Sequence, residues 1–421
     1  MRKIFIFKDN ATCFRRQLDA ERIKNYFIEN SYKIVKKPED ADLIIFFTCA
    51  VTNTAVESAL NKINEYKKYK KEMIVAGCLP EIEKEKLGNI FNGKVIGARK
   101  LKELDFYFPN NNIPINKIED ANILFENFEK EWGIKLIRKI EKKIKNNRIF
   151  LLILKKILSL KIFNKIMLFH MVFIKDPSYF VRIGWGCPGN CSFCATKKAV
   201  GPLVSKPFIE CIEEFKKGIK KKFKTITIVA DDCGAYGIDI GETFTKLMYE
   251  FIKQEGNYKI EIESFRPLWL MKHKEDVRKI LNTKKISEIN IPIQSGNKRI
   301  LRLMNRYSDI ENTKNFVSQI KKENSKVVFW TNCIVGFPTE TEDEFKDTLS
   351  VICDINFDKG ALFEFSCREN TEAEKIEPKV DIKTIKRRMN YAKDYLKKSG
   401  YNAFFADNKK FLVFEKRKNI D

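Results

Sequence analysis

The sequence is organised around the stretch Ile183-Gly-Trp-Gly-Cys-Pro-Gly-Asn-Cys-Ser-Phe-Cys194. It contains three cysteines in a C-x3-C-x2-C pattern, and its three glycines allow the backbone to turn tightly. Three thiolates on one loop can therefore bind a single soft metal centre. Structural zinc sites and iron–sulfur clusters normally have four protein ligands, so such a loop either takes a distant fourth ligand or leaves one metal position open.

Three interpretations of this loop are open. The cysteines could be ordinary buried thiols, although such thiols rarely cluster in this way. A zinc site with a remote fourth ligand is a second interpretation, but zinc pairs usually open with C-x2-C and the chain has only two histidines. The pattern favours the third, an iron–sulfur cluster with one open iron, held by Cys187, Cys191 and Cys194.

The spacing C-x3-C-x-aromatic-C, with Phe193 as the aromatic residue, resembles the radical S-adenosylmethionine signature. The run 179–183 before it reads as a strand, which is the context in which that motif is specific. The resemblance implies that the three cysteines bind a 4Fe–4S cluster whose open iron chelates S-adenosylmethionine. It also implies that Phe193 packs near the adenine of that cofactor.

Composition sets limits on the class of protein. The chain has 421 residues, 44% of them hydrophobic, so two or three domains with sizeable cores are expected. A formal net charge of +24 favours a polyanionic partner such as RNA, while a solvated lysine-rich surface is the alternative explanation. Eleven cysteines without a signal peptide argue against a secreted disulfide framework. We therefore predict a reducing, cytoplasmic environment.

Residues 1–110 alternate between strand and helix patterns. Strands are predicted near 3–7, 42–47 and 72–75, and helices at 19–29, 51–68 and 81–90. Alternation of this length predicts an α/β domain with a mainly parallel sheet. A cysteine follows each strand, namely Cys13, Cys49 and Cys78. Because ligands of such sheets lie at the carboxyl ends of the strands, these thiols are expected to converge on one edge.

This region resembles the amino-terminal domain of the methylthiotransferases, a radical S-adenosylmethionine subfamily. The family motif C-x5-D-x-E is matched by Cys13 with Asp19 and Glu21. Its T-C-x-V-T-N motif is matched by Thr48-Cys-Ala-Val-Thr-Asn53, and its G-C motif by Gly77-Cys78. The resemblance implies an auxiliary 4Fe–4S cluster at Cys13, Cys49 and Cys78. Two positions depart from the family: its C-Q-x-N is Cys13-Phe-Arg-Arg here, and its Asn before T-C is Phe47.

Residues 179–375 contain six strand–helix units with polar or glycine residues at the carboxyl ends of the strands. Such repeats predict a partial (β/α)6 barrel with its site at that face. The family resemblance continues through motifs that include Gly201-x3-Ser205-x-Pro207, Ala235-Tyr-Gly-Ile-Asp239, Pro292-Ile-Gln-Ser-Gly296, Ile334-Val-Gly-Phe-Pro338 and Ser366-x-Arg368. Gln294 and Ser295 lie at a strand end that the resemblance places against S-adenosylmethionine.

Two segments do not match the family pattern. Residues 111–178 form a linker whose part 134–174 reads as a basic amphipathic helical insertion, more consistent with packing on its own protein than with a membrane surface or RNA. Its apolar run 166–174 is too short to span a bilayer, so no transmembrane segment is predicted. Residues 376–421 read as a basic helix and one strand, 411–415, that resembles the start of a TRAM domain. The RNA-binding TRAM barrel is therefore expected to be truncated.

The resemblance implies an enzyme that inserts a methylthio group at an unactivated C–H bond. Its expected target is carbon-2 of a modified adenosine in tRNA, either threonylcarbamoyl- or isopentenyl-adenosine, and T-C-x-V-T-N favours the former. The expected cofactors are two 4Fe–4S clusters and S-adenosylmethionine, with a flavodoxin or ferredoxin as reductant. No catalytic residue beyond the cluster ligands is predicted. Two alternatives are the same chemistry on a protein side chain, as in the ribosomal-protein branch, and a non-catalytic iron–sulfur RNA-binding protein.

Overall fold

The computed structural model describes residues 1–8, 13–124, 178–406 and 411–417. The prediction of a basic helical insertion at 134–174 lies outside these residues. Among the described helices, none has the length and apolarity needed to cross a lipid bilayer.

The first sheet has five parallel strands in the order β2-β1-β3-β4-β5. They are β1 (Lys3–Lys8), β2 (Lys33–Ile34), β3 (Leu43–Thr48), β4 (Glu72–Gly77) and β5 (Lys94–Gly97). The central strand β3 is an unbroken apolar run, as expected for a parallel strand covered on both faces. Ile44 and Phe46 belong to one core cluster, and Leu43 and Ile45 belong to another. This sheet confirms the predicted amino-terminal α/β architecture.

Helices on this sheet are Phe14–Glu29, Asn53–Tyr66, Leu79–Ile82, Lys84–Gly88 and Glu103–Tyr107. The helix predicted at 51–68 begins at Asn53 because the Thr52 hydroxyl accepts a hydrogen bond from the Ala55 N–H, at 3.2 Å. The single helix predicted at 81–90 is instead two short helices. They are separated at Glu83, whose backbone is not helical (φ −127°, ψ 50°).

The second sheet begins with six parallel strands, which confirms the predicted partial barrel. They are β6 (Ser178–Arg182), β9 (Thr225–Val229), β10 (Lys259–Ile262), β11 (Ile286–Asn290), β12 (Val328–Val335) and β13 (Lys359–Glu364), adjacent in that order. A short antiparallel ribbon, β7 (Gly184–Trp185) with β8 (Val204–Ser205), lies beside them. The helices in this part of the chain are Thr196–Val200, Phe208–Lys220, Phe244–Lys253, Pro267–Lys272, Lys274–Leu281, Lys298–Leu303, Ile310–Glu323, Glu342–Ile355 and Ile382–Lys398.

The carboxyl-terminal strands extend the barrel sheet. β14 (Tyr401–Ala406) and β15 (Phe411–Lys416) pair antiparallel, and β15 also pairs antiparallel with β13. Leu412 and Phe414 point into the large core cluster of the barrel. The strand expected to be the remnant of a separate TRAM barrel therefore belongs to the barrel sheet, because its alternating apolar residues complete that core.

Candidate active site

The loop with Cys187, Cys191 and Cys194 follows β7 and ends at the helix Thr196–Val200. Gly186 has φ +74°, and a Cβ atom at this position would overlap the carbonyl group of Pro202. The Cys194 N–H donates to the Cys191 carbonyl at 3.0 Å, which closes a tight turn. The structure therefore holds all three cysteines on one short, sharply folded loop at the carboxyl end of β6.

Hydrogen bonds and cations surround the sulfur atoms of this loop. The Gly189 N–H donates to Cys187 Sγ at 3.3 Å, and Arg306 Nη1 lies 3.7 Å from Cys191 Sγ. Burial raises the pKa of Cys187 to about 11, while the nearby Arg266 guanidinium acts in the opposite direction. Three thiolates around a metal centre carry negative charge, and these donors are the groups that stabilise such charge.

Two motif residues support the same loop. Ser205, on β8, donates from its hydroxyl to Asp239 Oδ1 at 2.6 Å, and its N–H donates to Asp239 Oδ2 at 2.8 Å. The Gly237 N–H in turn donates to Ser205 Oγ at 2.9 Å. Because β8 pairs with β7, this network stabilises the ribbon from which the cysteine loop emerges.

The second trio lies at the carboxyl edge of the first sheet. Cys49 and Cys78 directly follow β3 and β4 and are each 7% exposed, whereas Cys13 is exposed and precedes the helix Phe14–Glu29. Burial raises the pKa of Cys78 to about 12, the charge of Arg16 opposes this rise, and the charges of Cys13 and Cys49 add to it. Gly77 has φ +106°, and a Cβ there would meet the Thr48 carbonyl. The structure thus brings these cysteines to one edge, as predicted.

The two cysteine loops are linked through Asp231, a residue that the sequence analysis did not single out. Its Oδ2 accepts from the N–H of Gly186 at 2.8 Å, next to Cys187. Its Oδ1 lies 2.9 Å from Arg15 Nε, two residues after Cys13. Arg15 also donates to the carbonyl of Ala230 at 3.2 Å. One carboxylate therefore fixes the backbone of one loop to a side chain of the other.

A buried ion-pair cluster joins the two sheets close to this point. Arg182 Nη1, at the end of β6, donates to Asp19 Oδ1 at 2.6 Å, and Arg16 Nη1 lies 2.8 Å from Asp19 Oδ2. All three side chains are less than 5% exposed. Asp19 is the first of the two acidic residues of the C-x5-D-x-E motif, and here it orients the segment after Cys13 against the barrel.

Neither trio forms a site for one ion. Among the described residues, no three His, Cys, Asp or Glu side chains are placed to hold a single metal ion. A four-iron cluster makes a different demand, because each of its cysteine ligands binds a separate iron rather than one shared ion. The donor chemistry of both trios, three thiols with nearby N–H groups or guanidinium groups, fits an iron–sulfur cluster.

The three residues predicted to contact S-adenosylmethionine lie in different surroundings from one another. Phe193 is half-buried and packs against a cluster that contains Ile300 and Met304. Gln294 has φ +71° and its N–H donates to the Asn332 carbonyl at 2.9 Å, so this strand end is strained. Ser295 is fully buried, and its hydroxyl accepts from the N–H of Asn297 at 3.2 Å. The roles assigned to these three residues remain predictions.

Comparison with known families agrees with this architecture. The profile of the Radical SAM superfamily matches residues 181–352, and that of Uncharacterized protein family UPF0004 matches residues 7–97. The two matches contain the barrel cysteine loop and the three amino-terminal cysteines, respectively. Barrel and loop together define a radical S-adenosylmethionine enzyme.

Two curated relatives indicate which family of radical S-adenosylmethionine enzymes the chain belongs to. The chain is 28% identical over 410 residues to the "Probable threonylcarbamoyladenosine tRNA methylthiotransferase" of Methanocaldococcus jannaschii, with 97% of this chain and 85% of the relative covered. It is 29% identical over 389 residues to the "Ribosomal protein uS12 methylthiotransferase RimO" of Alkaliphilus oremlandii, with 90% and 78% covered. The chain belongs to the radical S-adenosylmethionine methylthiotransferase family, whose cofactors are two 4Fe–4S clusters and S-adenosylmethionine.

A solved structure shows the same fold at low identity. The radical S-adenosylmethionine methyltransferase TsrM from Kitasatospora setae superposes with a TM-score of 0.58 at 8% identity, covering 100% of this chain and 86% of that one. That protein was solved with a tryptophan substrate and an analogue of S-adenosylmethionine. At this identity the likeness concerns the arrangement of sheets and helices alone.

Proposed function

We propose that this methylthiotransferase acts on tRNA and inserts the methylthio group at carbon-2 of a modified adenosine, threonylcarbamoyl- or isopentenyl-adenosine. The observation that carries the proposal is the link through Asp231, which joins the barrel cysteine loop to the segment after Cys13. Two trios of thiols on linked loops suit a reaction that needs both a radical and a sulfur donor. Support for a nucleic-acid substrate comes from the net charge of +24 and from the M. jannaschii relative.

The ligand assignment is part of the proposal. Cys187, Cys191 and Cys194 hold the cluster that binds S-adenosylmethionine, and Cys13, Cys49 and Cys78 hold the auxiliary cluster. When bound, these groups supply radical chemistry at a C–H bond that no acid–base side chain can cleave, together with a position for the transferred sulfur. Each trio provides three thiolates, which leaves one iron of a four-iron cluster open.

The chain's own residues orient and balance these groups. Arg306 and the Gly189 N–H lie beside sulfur atoms of the barrel trio and offset its negative charge. Phe193, Gln294 and Ser295 are proposed to line the space for S-adenosylmethionine. A small electron-transfer protein, a flavodoxin or a ferredoxin, is the proposed reductant, because one-electron reduction of a cluster needs an electron donor.

Iron content after anaerobic reconstitution tests the ligand assignment. Replacing either trio by alanine should remove about half of the bound iron, because each trio holds one of two equal clusters. The matched control is Cys353→Ala, a partly buried cysteine on the helix Glu342–Ile355, which should leave iron unchanged. Iron that stays at the wild-type level in both trio variants would contradict the assignment.

Nucleoside mass spectrometry tests the substrate. Transfer RNA from a strain that lacks this gene should lose one 2-methylthio-adenosine derivative, and a plasmid copy should restore it. A copy with Cys49→Ala should not restore it, while a copy with Cys353→Ala should. An unchanged nucleoside profile in the deletion strain would remove tRNA as the substrate.

A protein substrate is the second candidate, and the A. oremlandii relative favours it because its name specifies ribosomal protein uS12. In this case the deletion strain would keep its nucleoside profile. Peptide mass spectrometry of its ribosomal proteins would instead show loss of the mass that a methylthio group adds. The two readouts come from one strain, so they separate the candidates directly.

A further inference from the structure

Arg266 is an arginine that the barrel holds in a fixed position after β10. Its carbonyl accepts a hydrogen bond from the Trp269 N–H at 3.0 Å, where the helix Pro267–Lys272 begins. Its side chain is 13% exposed, and Nε donates to Asp232 Oδ2 at 2.6 Å. Asp232 follows β9 and is fully buried. The guanidinium is therefore anchored between the ends of two neighbouring strands of the barrel.

The terminal edge of this guanidinium faces the barrel cysteine loop. A Cβ atom on Gly189 would overlap Arg266 Nη1, and it would lie 3.0 Å from Cζ and 3.3 Å from Nη2. Gly189 stands between Cys187 and Cys191 in the sequence, and its N–H donates to Cys187 Sγ at 3.3 Å. Both terminal nitrogens thus lie against the middle of the loop, and a side chain at position 189 would take their place.

The two terminal nitrogens are unused by the chain. Among the residues that the structure describes, Nη1 and Nη2 of Arg266 have no hydrogen-bond acceptor. The anchoring carboxylate is shared, because Trp269 Nε1 donates to the same Asp232 oxygen at 2.8 Å. Burial lowers the pKa of this guanidinium, but the charges of Asp232, Cys187 and Cys191 raise it above its ordinary value. A permanent cation therefore presents free N–H groups to a loop of thiols.

These N–H groups are placed to act on a cluster at the loop. Reduction adds one negative charge to an iron–sulfur cluster, and its reduction potential depends on net charge and on hydrogen bonds to sulfur. We propose that Arg266 sets this potential: its terminal nitrogens donate to sulfur at the barrel trio and make the cluster easier to reduce. This inference rests on the proposed assignment of Cys187, Cys191 and Cys194, and it adds a positioning residue to that site.

The test uses the full chain with Cys13, Cys49 and Cys78 replaced by alanine, so that iron is bound only by the barrel trio. The reconstituted protein is titrated anaerobically with dithionite and redox mediators, without S-adenosylmethionine, and electron paramagnetic resonance reports the reduced cluster. At the parent's midpoint potential, Arg266→Gln should lower the ratio of reduced to oxidised cluster about tenfold, as expected for one lost charge-assisted hydrogen bond. This ratio corresponds to a potential about 59 mV lower. An unchanged potential overturns the proposal.

Two control variants separate the charge of Arg266 from a role in ordering the loop. Asp232→Asn keeps an oxygen acceptor for Arg266 and removes a buried negative charge, so the potential should stay unchanged or rise. Arg278→Gln makes the same substitution on the helix Lys274–Leu281, where the arginine lies 3.2 Å from Glu323, and the potential should stay unchanged. A lower potential in either control overturns the proposal.

Gly189→Ala tests the same contact without removing a charge. The φ angle of Gly189 lies outside the left-handed region, so the backbone accepts alanine, and the new methyl group has to displace the end of the Arg266 side chain. The potential should fall, and Gly189→Ala should cause no further fall when it is combined with Arg266→Gln, because both changes remove one contact. Additive falls would contradict that contact. If Arg266→Gln holds no cluster, Gly189→Ala decides alone, and a potential equal to the parent's overturns the proposal.

Two further measurements identify the cause of a negative result. Binding of S-adenosylmethionine is measured on the same proteins. If Arg266→Gln weakens this binding and leaves the potential of the cofactor-free cluster unchanged, the guanidinium serves the carboxylate of the cofactor, and the proposal is overturned. Iron content is measured before any titration. A parent protein without iron would refute the assignment of the barrel trio, and the role of Arg266 with it.

Discussion

Replacing Asp19 by asparagine should destabilise the protein strongly. The substitution keeps the size of the side chain and removes its charge, which leaves Arg182 and Arg16 without their shared carboxylate. Breaking a buried ion pair by removing one partner costs about 3–5 kcal/mol. Each arginine keeps one backbone acceptor, because Arg182 donates to the Arg15 carbonyl and Arg16 to the Ala98 carbonyl. We therefore expect a loss near the lower limit, about 3 kcal/mol.

Urea unfolding of anaerobically purified protein measures this loss. The matched control is Glu65→Gln, which breaks an exposed pair with Lys68 at 3.5 Å, where the two side chains are 60% and 56% exposed. The control should lose less than about 1 kcal/mol. The comparison requires equal slopes with denaturant, so that the midpoints report stability. Midpoints that coincide for the two variants would refute the argument that the junction between the sheets depends on this buried cluster.

Two further predictions concern a backbone turn and a surface ion pair. Gly186→Ala should reduce the iron bound by the barrel trio far more than Gly241→Ala does. Both glycines have φ near +74°, but of these two positions only Gly186 would bring the new Cβ against backbone, namely the Pro202 carbonyl. Equal iron content in the two variants would contradict this prediction. Glu344 is hydrogen-bonded through both oxygens to Arg299, which lowers its pKa to about 2. A carboxyl whose folded pKa is depressed stabilises the fold above its ordinary pKa, near 4.5, and this contribution is lost as pH falls towards 2. Because Arg299 is half exposed, Glu344→Gln should remove only about 1 kcal/mol of this acid-dependent stability. If the free energy of unfolding of wild type and of Glu344→Gln changed with pH in parallel, the contribution of this ion pair to acid-dependent stability would be contradicted.

The parts of the fold that could be predicted are those that depend on the pattern of residues close together in the chain. Each barrel strand is a short segment with buried apolar residues and is followed by polar or glycine residues, and six such units predicted the barrel with its correct strand count. The convergence of Cys13, Cys49 and Cys78 followed from parallel strand order alone, since β1, β3 and β4 are neighbours. Hydrophobic periodicity and the ends of strands depend on neighbouring residues, so both can be predicted from a single sequence.

The parts that could not be predicted depend on contacts between distant residues. Asp19 and Arg182 are 163 positions apart, and no spacing rule connects them. Arg15 and Arg16 stood out only as departures from C-Q-x-N, and their partners Asp231 and Asp19 became clear once the sheets were placed together. The pairing of β15 with β13 was missed for the same reason, because an antiparallel edge strand reads like any other short apolar run.

The hairpin of β14 and β15 also affects how the chain folds during synthesis. Proteins emerge from the ribosome amino terminus first, and domains fold as they emerge. Strand β13 is complete at residue 364, but the strand that covers its free edge ends only at residue 416. Throughout that interval the nascent barrel presents an unpaired edge, the feature of sheets most prone to wrong pairing with other chains. Translation of residues 365–416 is thus the period in which a chaperone would protect this sheet edge most.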